Sequence, residues 1–259
     1  CEIEKKEIKE FNDLSVSKSK KIYNISVPTT AGSGAESTHF STIWSKKNNQ
    51  KYSIEGVNMM PNLVYLVPSF TITMPKTITL TTGLDAICHS LDSILNINSN
   101  NDSFNYSKKS IDEMSNFFPL LLENLNNLDL RASILHSSNL AGKAINISRT
   151  SLNHSISYPL TNIYNLPHGL ACAFSVKATV EIFEDKLRKL EFYEQVVKAY
   201  ELIQSLELSS VYKKYLSKFE KQKISKEIFR NDRISNFIFD ITDNDIEKIL
   251  TESENYYLQ

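Results

Sequence analysis

The dipeptide Met74-Pro75 divides the sequence into two unlike halves, and that division most limits what the chain can fold into. Downstream, segments 77–95, 103–125, 130–145 and 183–206 carry apolar residues at helical spacing. Upstream, 22–27 and 38–44 alternate apolar and polar residues, 51–54 follows a polar turn as a hairpin partner, and 63–67 is a short apolar run closed by Pro68. Residues 1–21 are Lys- and Glu-rich and read as a helix followed by a polar loop. The expectation is a β-rich part over 1–74 followed by an all-helical part over 75–259.

Glycine narrows the reading further. Only six occur in 259 residues, about a third of the usual ~7%. Those that remain are expected where the backbone requires them. Four of them, Gly32, Gly34, Gly83 and Gly169, fall beside the chemically suggestive residues. The first pair lies in Pro28-Thr29-Thr30-Ala31-Gly32-Ser33-Gly34-Ala35-Glu36, a strand-to-loop junction rich in hydroxyls and exposed N–H groups. Such a loop can bind a phosphate or ribose.

Gly83-Leu84-Asp85-Ala86-Ile87-Cys88-His89 continues without a breaker into 90–95, so it reads as helix. Asp85 and His89 then share one face, one turn apart, and can hold one ion from one side. The competing reading is a plain surface Asp–His pair. His154 follows a polar stretch, and His168 sits between Pro167 and Gly169, a turn that starts a helix. Together, Asp85, His89, His154 and His168 form a three-imidazole, one-carboxylate set suited to Fe2+, Zn2+ or Mn2+.

A net charge of −1 gives no field for nucleic acid. No apolar run approaches the ~20 residues of a membrane span. Cys1, Cys88 and Cys172 lack C-x-x-C spacing. Neither a disulfide framework nor a thiolate zinc site is expected, and a reducing cytoplasmic location is.

The loop 28–36, the Gly83–His89 run, His154 and Pro167-His168-Gly169 occur together in an order that resembles the iron-dependent (group III) alcohol dehydrogenases. The tail from Asn231 to Asn236 and 241–250 is similar to the end of that family. The resemblance implies the dehydroquinate synthase-like fold: an α/β nucleotide-binding domain, incomplete here and Rossmann-like, followed by an all-α metal-binding domain. It also implies hydride transfer between nicotinamide, as NAD(H) or NADP(H), and a small alcohol or aldehyde held at Fe2+ or Zn2+. On this resemblance Asp85, His89, His154 and His168 match the metal ligands. Thr29, Thr30 and Ser33 match the cofactor loop, Lys51 a cofactor-contacting lysine, and Phe70, Thr71 and Met74 the segment beside the nicotinamide.

Two departures qualify it. Tyr158 stands where many members carry a further histidine near the substrate, a proton-relay position. The run 148–161 and Ser37-Thr38-His39-Phe40 resemble phosphonoacetaldehyde reductases, and Arg149 is the candidate docking group for the phosphonate. The family's Gly-Gly-Gly-Ser phosphate loop should precede Cys1. The expectation is therefore a truncated dehydrogenase, acting alone or as a homodimer. The alternative is an inactive fragment, or half of a split enzyme that binds metal but not nucleotide. A metal-dependent hydrolase using the same ligands is the remaining competitor.

Overall fold

The computed structural model describes residues 23–45, 50–228 and 232–259. The lead-in expected to be helix and loop lies outside the described residues, as does the side chain of Lys51.

The helical part is built around helix α1, Lys76–Ile94, which starts directly after Pro75. Every residue from Gly83 to Ile94 is buried. A helix apolar on one stripe sits on a surface, whereas one covered on all sides is a core element. Here Asp85, His89, Ser90, Asp92 and Ser93 are buried with the apolar residues, so their polar atoms must find partners.

Helix α2, Asn101–Glu123, begins with a reciprocal cap: Ser103 N–H donates to Asn100 Oδ1 at 3.0 Å and Asn100 N–H to Ser103 Oγ at 2.9 Å. Helix α3, Leu128–Ser148, is capped by Asn127 Oδ1, which accepts from the Asp129 and Leu130 N–H groups. Ile111, Met114 and Phe118 of α2 and Ile134 of α3 close over Leu84, Ile87 and Leu91 of α1 in one apolar core. Helices α4 (Leu152–Tyr164), α5 (His168–Ala173), α6 (Val176–Ile182), α7 (Glu184–Leu187), α8 (Tyr193–Ser205), α9 (Ser209–Tyr215), α10 (Lys221–Ile228) and α11 (Asp243–Tyr257) complete it.

No element is predicted over 154–160 from sequence. The structure places α4 there, with Leu152 through Leu160 buried. The helix is held by tertiary partners rather than by propensity. The Asp92 carboxylate accepts from the backbone N–H groups of Ser151, Asn153 and His154 at its start.

Before Pro75 the β elements are short. Strand β1 (Ile25–Ser26) pairs in parallel with β4 (Leu63–Val64), and β2 (Phe40–Ser45) pairs antiparallel with β3 (Gln50–Glu55) in the register Phe40↔Glu55 to Ser45↔Gln50. The expected strands at 22–27 and 63–67 reduce to two residues each. Among the described residues β1 and β4 pair only with one another, and Pro68 opens a 3-10 turn.

The loop between β1 and β2 is docked onto α3 by backbone contact. Gly34 has φ 60°, and a Cβ there would lie 2.4 Å from Gly142 Cα. Beside it, Asn139 Nδ2 donates to buried Glu36 Oε1 at 3.0 Å and to Ser37 Oγ at 2.6 Å. Gly34→Ala adds left-handed backbone strain to a steric clash, so it is expected to lower stability by about 2–5 kcal/mol. Urea denaturation checks this as a lower midpoint at unchanged slope.

Candidate metal centre

Asp85 and His89 project from one face of α1, His154 from the first turn of α4 and His168 from the first residue of α5. Close packing of α5 on α1 sets the last position. A Cβ on Gly169 would fall 1.8 Å from the Thr81 carbonyl oxygen, so only glycine lets His168 approach this closely.

His89, His154 and His168 gather around one carboxylate oxygen of Asp85. Asp85 Oδ1 lies 3.6 Å from His89 Nε2, 3.5 Å from His154 Nε2 and 3.8 Å from His168 Nε2. Ligands about 2.1 Å from a tetrahedral ion stand roughly 3.4 Å from one another, which is the spacing seen here. The rings of His89 and His154 stack at 4.6 Å, and His154 meets His168 edge-on at 5.5 Å. Asp85 Oδ1 and His154 Nε2 are buried without a hydrogen-bond partner. Two buried atoms of this kind, aimed at one another beyond bonding distance, fit a divalent cation between them.

Against their burial, Cys172 and Asp85 hold the His154 and His168 imidazoles above their usual range. Burial opposes ionisation of Asp85, yet His89, His154 and His168 outweigh it and hold the carboxyl far below its usual range. Burial brings His89 down to about 4, which leaves it a neutral ligand.

Sequence reasoning missed three neighbours of this set. Asp92 is fully buried on α1, and its Oδ2 accepts from His154 Nδ1 at 2.8 Å. A carboxylate behind a ligating imidazole fixes the tautomer that points the Nε2 lone pair at the ion. Burial would raise the Asp92 carboxyl, but the bonds from His154, Ser151 and Asn153 keep it below its ordinary value. The signal was available: Asp85, His89 and Asp92 continue one helical face.

Cys172 is the second. Its Sγ lies 3.7 Å from His168 Nε2, and donor atoms of Asp85, His154, His168 and Cys172 all fall within 4.8 Å of one another. Burial would raise its thiol, but His154 and His168 draw it down to about 7. Its spacing from His168 repeats that of Asp85 and His89. The third is Arg233, on the 3-10 turn Asp232–Asn236; its Nη1 donates to Thr150 Oγ1 at 2.7 Å and its guanidinium lies 5.8 Å from the Tyr158 ring centre.

A cavity of about 390 Å3 opens over the cluster, lined by Asp85, His89, His154 and His168 on one side and by Ser33, Thr38, Thr150, Tyr158, Thr161 and Arg233 on the others. Tyr158 is buried, and its ring lies parallel to that of His168 at 6.1 Å. Burial pushes its phenol up.

The remaining sequence candidates divide between the cavity and other places. Ser33 lines the cavity, whereas Thr29 and Thr30 are exposed on the loop before it. Phe70 is exposed, Thr71 is buried with its hydroxyl donating to the Pro68 carbonyl, and the Met74 carbonyl accepts from Arg131. The Arg149 guanidinium pairs with Glu55 and covers the ring of Phe40 at 5.1 Å; Phe40 lines the cavity and Arg149 does not. That bond to Arg149 holds the Glu55 carboxyl below its usual range.

Comparison with known proteins follows the same lines. Residues 79–250 match the family model "Fe-containing alcohol dehydrogenase family, C-terminal", and residues 2–68 match "Iron-containing alcohol dehydrogenase". The chain is 30% identical over 152 residues to a phosphonoacetaldehyde reductase of Streptomyces viridochromogenes, covering 59% of this chain and 38% of that protein. It is 26% identical over 175 residues to a 1-propanol dehydrogenase of Citrobacter freundii, covering 68% and 47% respectively. It thus spans less than half the length of these relatives. Among solved structures it resembles sulfoacetaldehyde reductase from Bifidobacterium kashiwanohense in complex with NAD+, with a TM-score of 0.78 at 23% identity over 90% of this chain and 65% of that one. That likeness establishes the fold: a short α/β part followed by an all-α domain. On the matches to both halves, this chain belongs to the iron-containing alcohol dehydrogenase family.

Proposed function

We propose that the chain carries the metal centre and substrate side of an NAD(P)-linked alcohol dehydrogenase or aldehyde reductase, with phosphonoacetaldehyde among its substrates. The gathering of His89, His154 and His168 around Asp85 Oδ1 supports this reading. An ion held there, Fe2+ or Zn2+, would supply Lewis acidity toward a carbonyl oxygen. Asp85, His89, His154 and His168 would hold it, with the Asp85 carboxylate neutralising part of its charge. Ser33 lines the cavity from the loop that would contact the nicotinamide, and Thr29, Thr30, Lys51, Phe70, Thr71 and Met74 would serve the cofactor. Tyr158, which lines the same cavity, would hydrogen-bond the substrate. On this reading residues 1–74 belong to the nucleotide-binding side and 75–259 to the metal-binding domain.

The test is NADH and NADPH oxidation after anaerobic loading with Fe2+ or Zn2+, with phosphonoacetaldehyde and butanal side by side. Turnover is expected only in the metal-loaded chain and is expected to stop on chelation. One bound equivalent of metal with no turnover on either aldehyde would remove the reductase reading.

A further inference from the structure

The cavity over the metal cluster holds one feature that a simple alcohol does not require, a guanidinium in its wall. We propose that Arg233 docks the anionic end of the substrate, so that the preferred substrate is a short aldehyde ending in a tetrahedral oxyanion such as a phosphonate. The inference rests on the reductase reading and names its substrate class.

Three observations carry it. Arg233 lines the same cavity as Asp85, His89, His154 and His168, and it is the only cationic side chain to do so among the described residues. Its place is built rather than accidental. Nη1 donates to Thr150 Oγ1 at 2.7 Å, and Asn236 Nδ2 donates to the Thr150 carbonyl at 3.0 Å, so the turn that bears Arg233 is tied to the start of α4. The Tyr158 ring neighbours both groups, with its centre 5.8 Å from the guanidinium and 6.1 Å from the centre of the His168 ring. Cation and cluster thus share one cavity of about 390 Å3, room for an aldehyde of a few carbons.

The lining adds hydroxyls. Ser33, Thr38, Thr150 and Thr161 border the cavity, and Thr161 Oγ1 is buried without a partner. Hydroxyls beside a planar guanidinium fork suit an oxyanion with three equivalent oxygens. Arg149, the arginine singled out by sequence, is turned onto Glu55 at the rim.

The experiment compares wild type, Arg233→Gln, Arg233→Lys and Arg149→Gln, all metal-loaded and checked for folding by circular dichroism. Steady-state reduction of phosphonoacetaldehyde, sulfoacetaldehyde, succinic semialdehyde and uncharged butanal is measured, together with the calorimetric affinity for ethylphosphonate. Arg233→Gln is expected to lower kcat/KM for phosphonoacetaldehyde at least about a hundredfold, the size of a lost charge-assisted pair. Butanal should change less than about threefold, Arg233→Lys should fall between, and ethylphosphonate affinity should drop at least tenfold. The sulfonate and carboxylate arms rank the anions.

An equal fall on butanal, a raised KM for NADH, or a larger phosphonate-specific loss in Arg149→Gln than in Arg233→Gln would overturn the inference. So would ethylphosphonate binding that is absent in wild type or unchanged in Arg233→Gln. If wild type reduces no aldehyde yet ethylphosphonate affinity falls in Arg233→Gln, the reductase reading fails while the docking role stands. If butanal is reduced with no response to Arg233, the reverse holds.

Discussion

Replacing Asp85 with alanine is expected to lower affinity for Fe2+ or Zn2+ by about two orders of magnitude and to abolish NAD(P)H oxidation. Asp85 Oδ1 is the common neighbour of three imidazole nitrogens, at 3.5, 3.6 and 3.8 Å. It is also the carboxylate oxygen that borders all three imidazoles. A four-ligand zinc site is worth about 10–16 kcal/mol, so one ligand carries about 3 kcal/mol, or roughly a hundredfold. Competition against a metallochromic chelator reads the affinity directly. The metal-free chain gives a second readout. The Asp85 carboxyl is held below its usual range by the imidazoles, against its burial. Its contribution to stability is therefore present above the ordinary carboxylate pKa and is lost as pH falls through the lowered one. Asp85→Ala should lower stability at neutral pH and flatten the acid limb of the stability curve. Unchanged metal affinity in this variant would place the ion elsewhere.

The sequence made the α1 half of the centre legible because Asp85 and His89 are four residues apart on an unbroken helix. Geometry inside one helix follows from spacing alone. His168 was placed correctly at a helix start, because Pro167 and Gly169 mark such a junction. The helix bearing His154 was not legible. Its Ser-rich, Pro-containing sequence has poor helix propensity, and its first N–H groups are satisfied by Asp92, far away in the chain. Arg233 was quoted only as part of the family-like tail. Its entry into the cavity depends on the bond to Thr150 and on packing across α4, and neither leaves a local pattern. Arg149 illustrates the converse. A positive charge beside the His154 segment is the natural docking candidate by sequence, but the hairpin carries Glu55 to it and takes up the guanidinium.

Asp92 supports the second large prediction, because it does two separable things. Its Oδ2 takes the Nδ1 proton of His154, and its two oxygens take the N–H groups of Ser151, Asn153 and His154. Asp92→Ala leaves those donors buried without an acceptor and His154 without its counter-charge. Breaking a buried pair from one side is worth about 3–5 kcal/mol, so the metal-free chain should melt markedly lower. Asp92→Asn keeps the shape and one accepting oxygen, so it should destabilise less. It should still weaken metal binding by about 10–100-fold, the usual effect of removing a carboxylate behind a ligating histidine. Calorimetric melting of the metal-free variants and metal titration at a temperature where each is folded separate the two roles. A large melting shift with unchanged affinity in Asp92→Asn would make Asp92 a helix cap alone. A loss of affinity at nearly native stability would mean that its charge aims His154. The second outcome is expected, because an amide can accept a hydrogen bond at the start of α4 but cannot supply the negative charge that makes the imidazole a stronger donor to a dication.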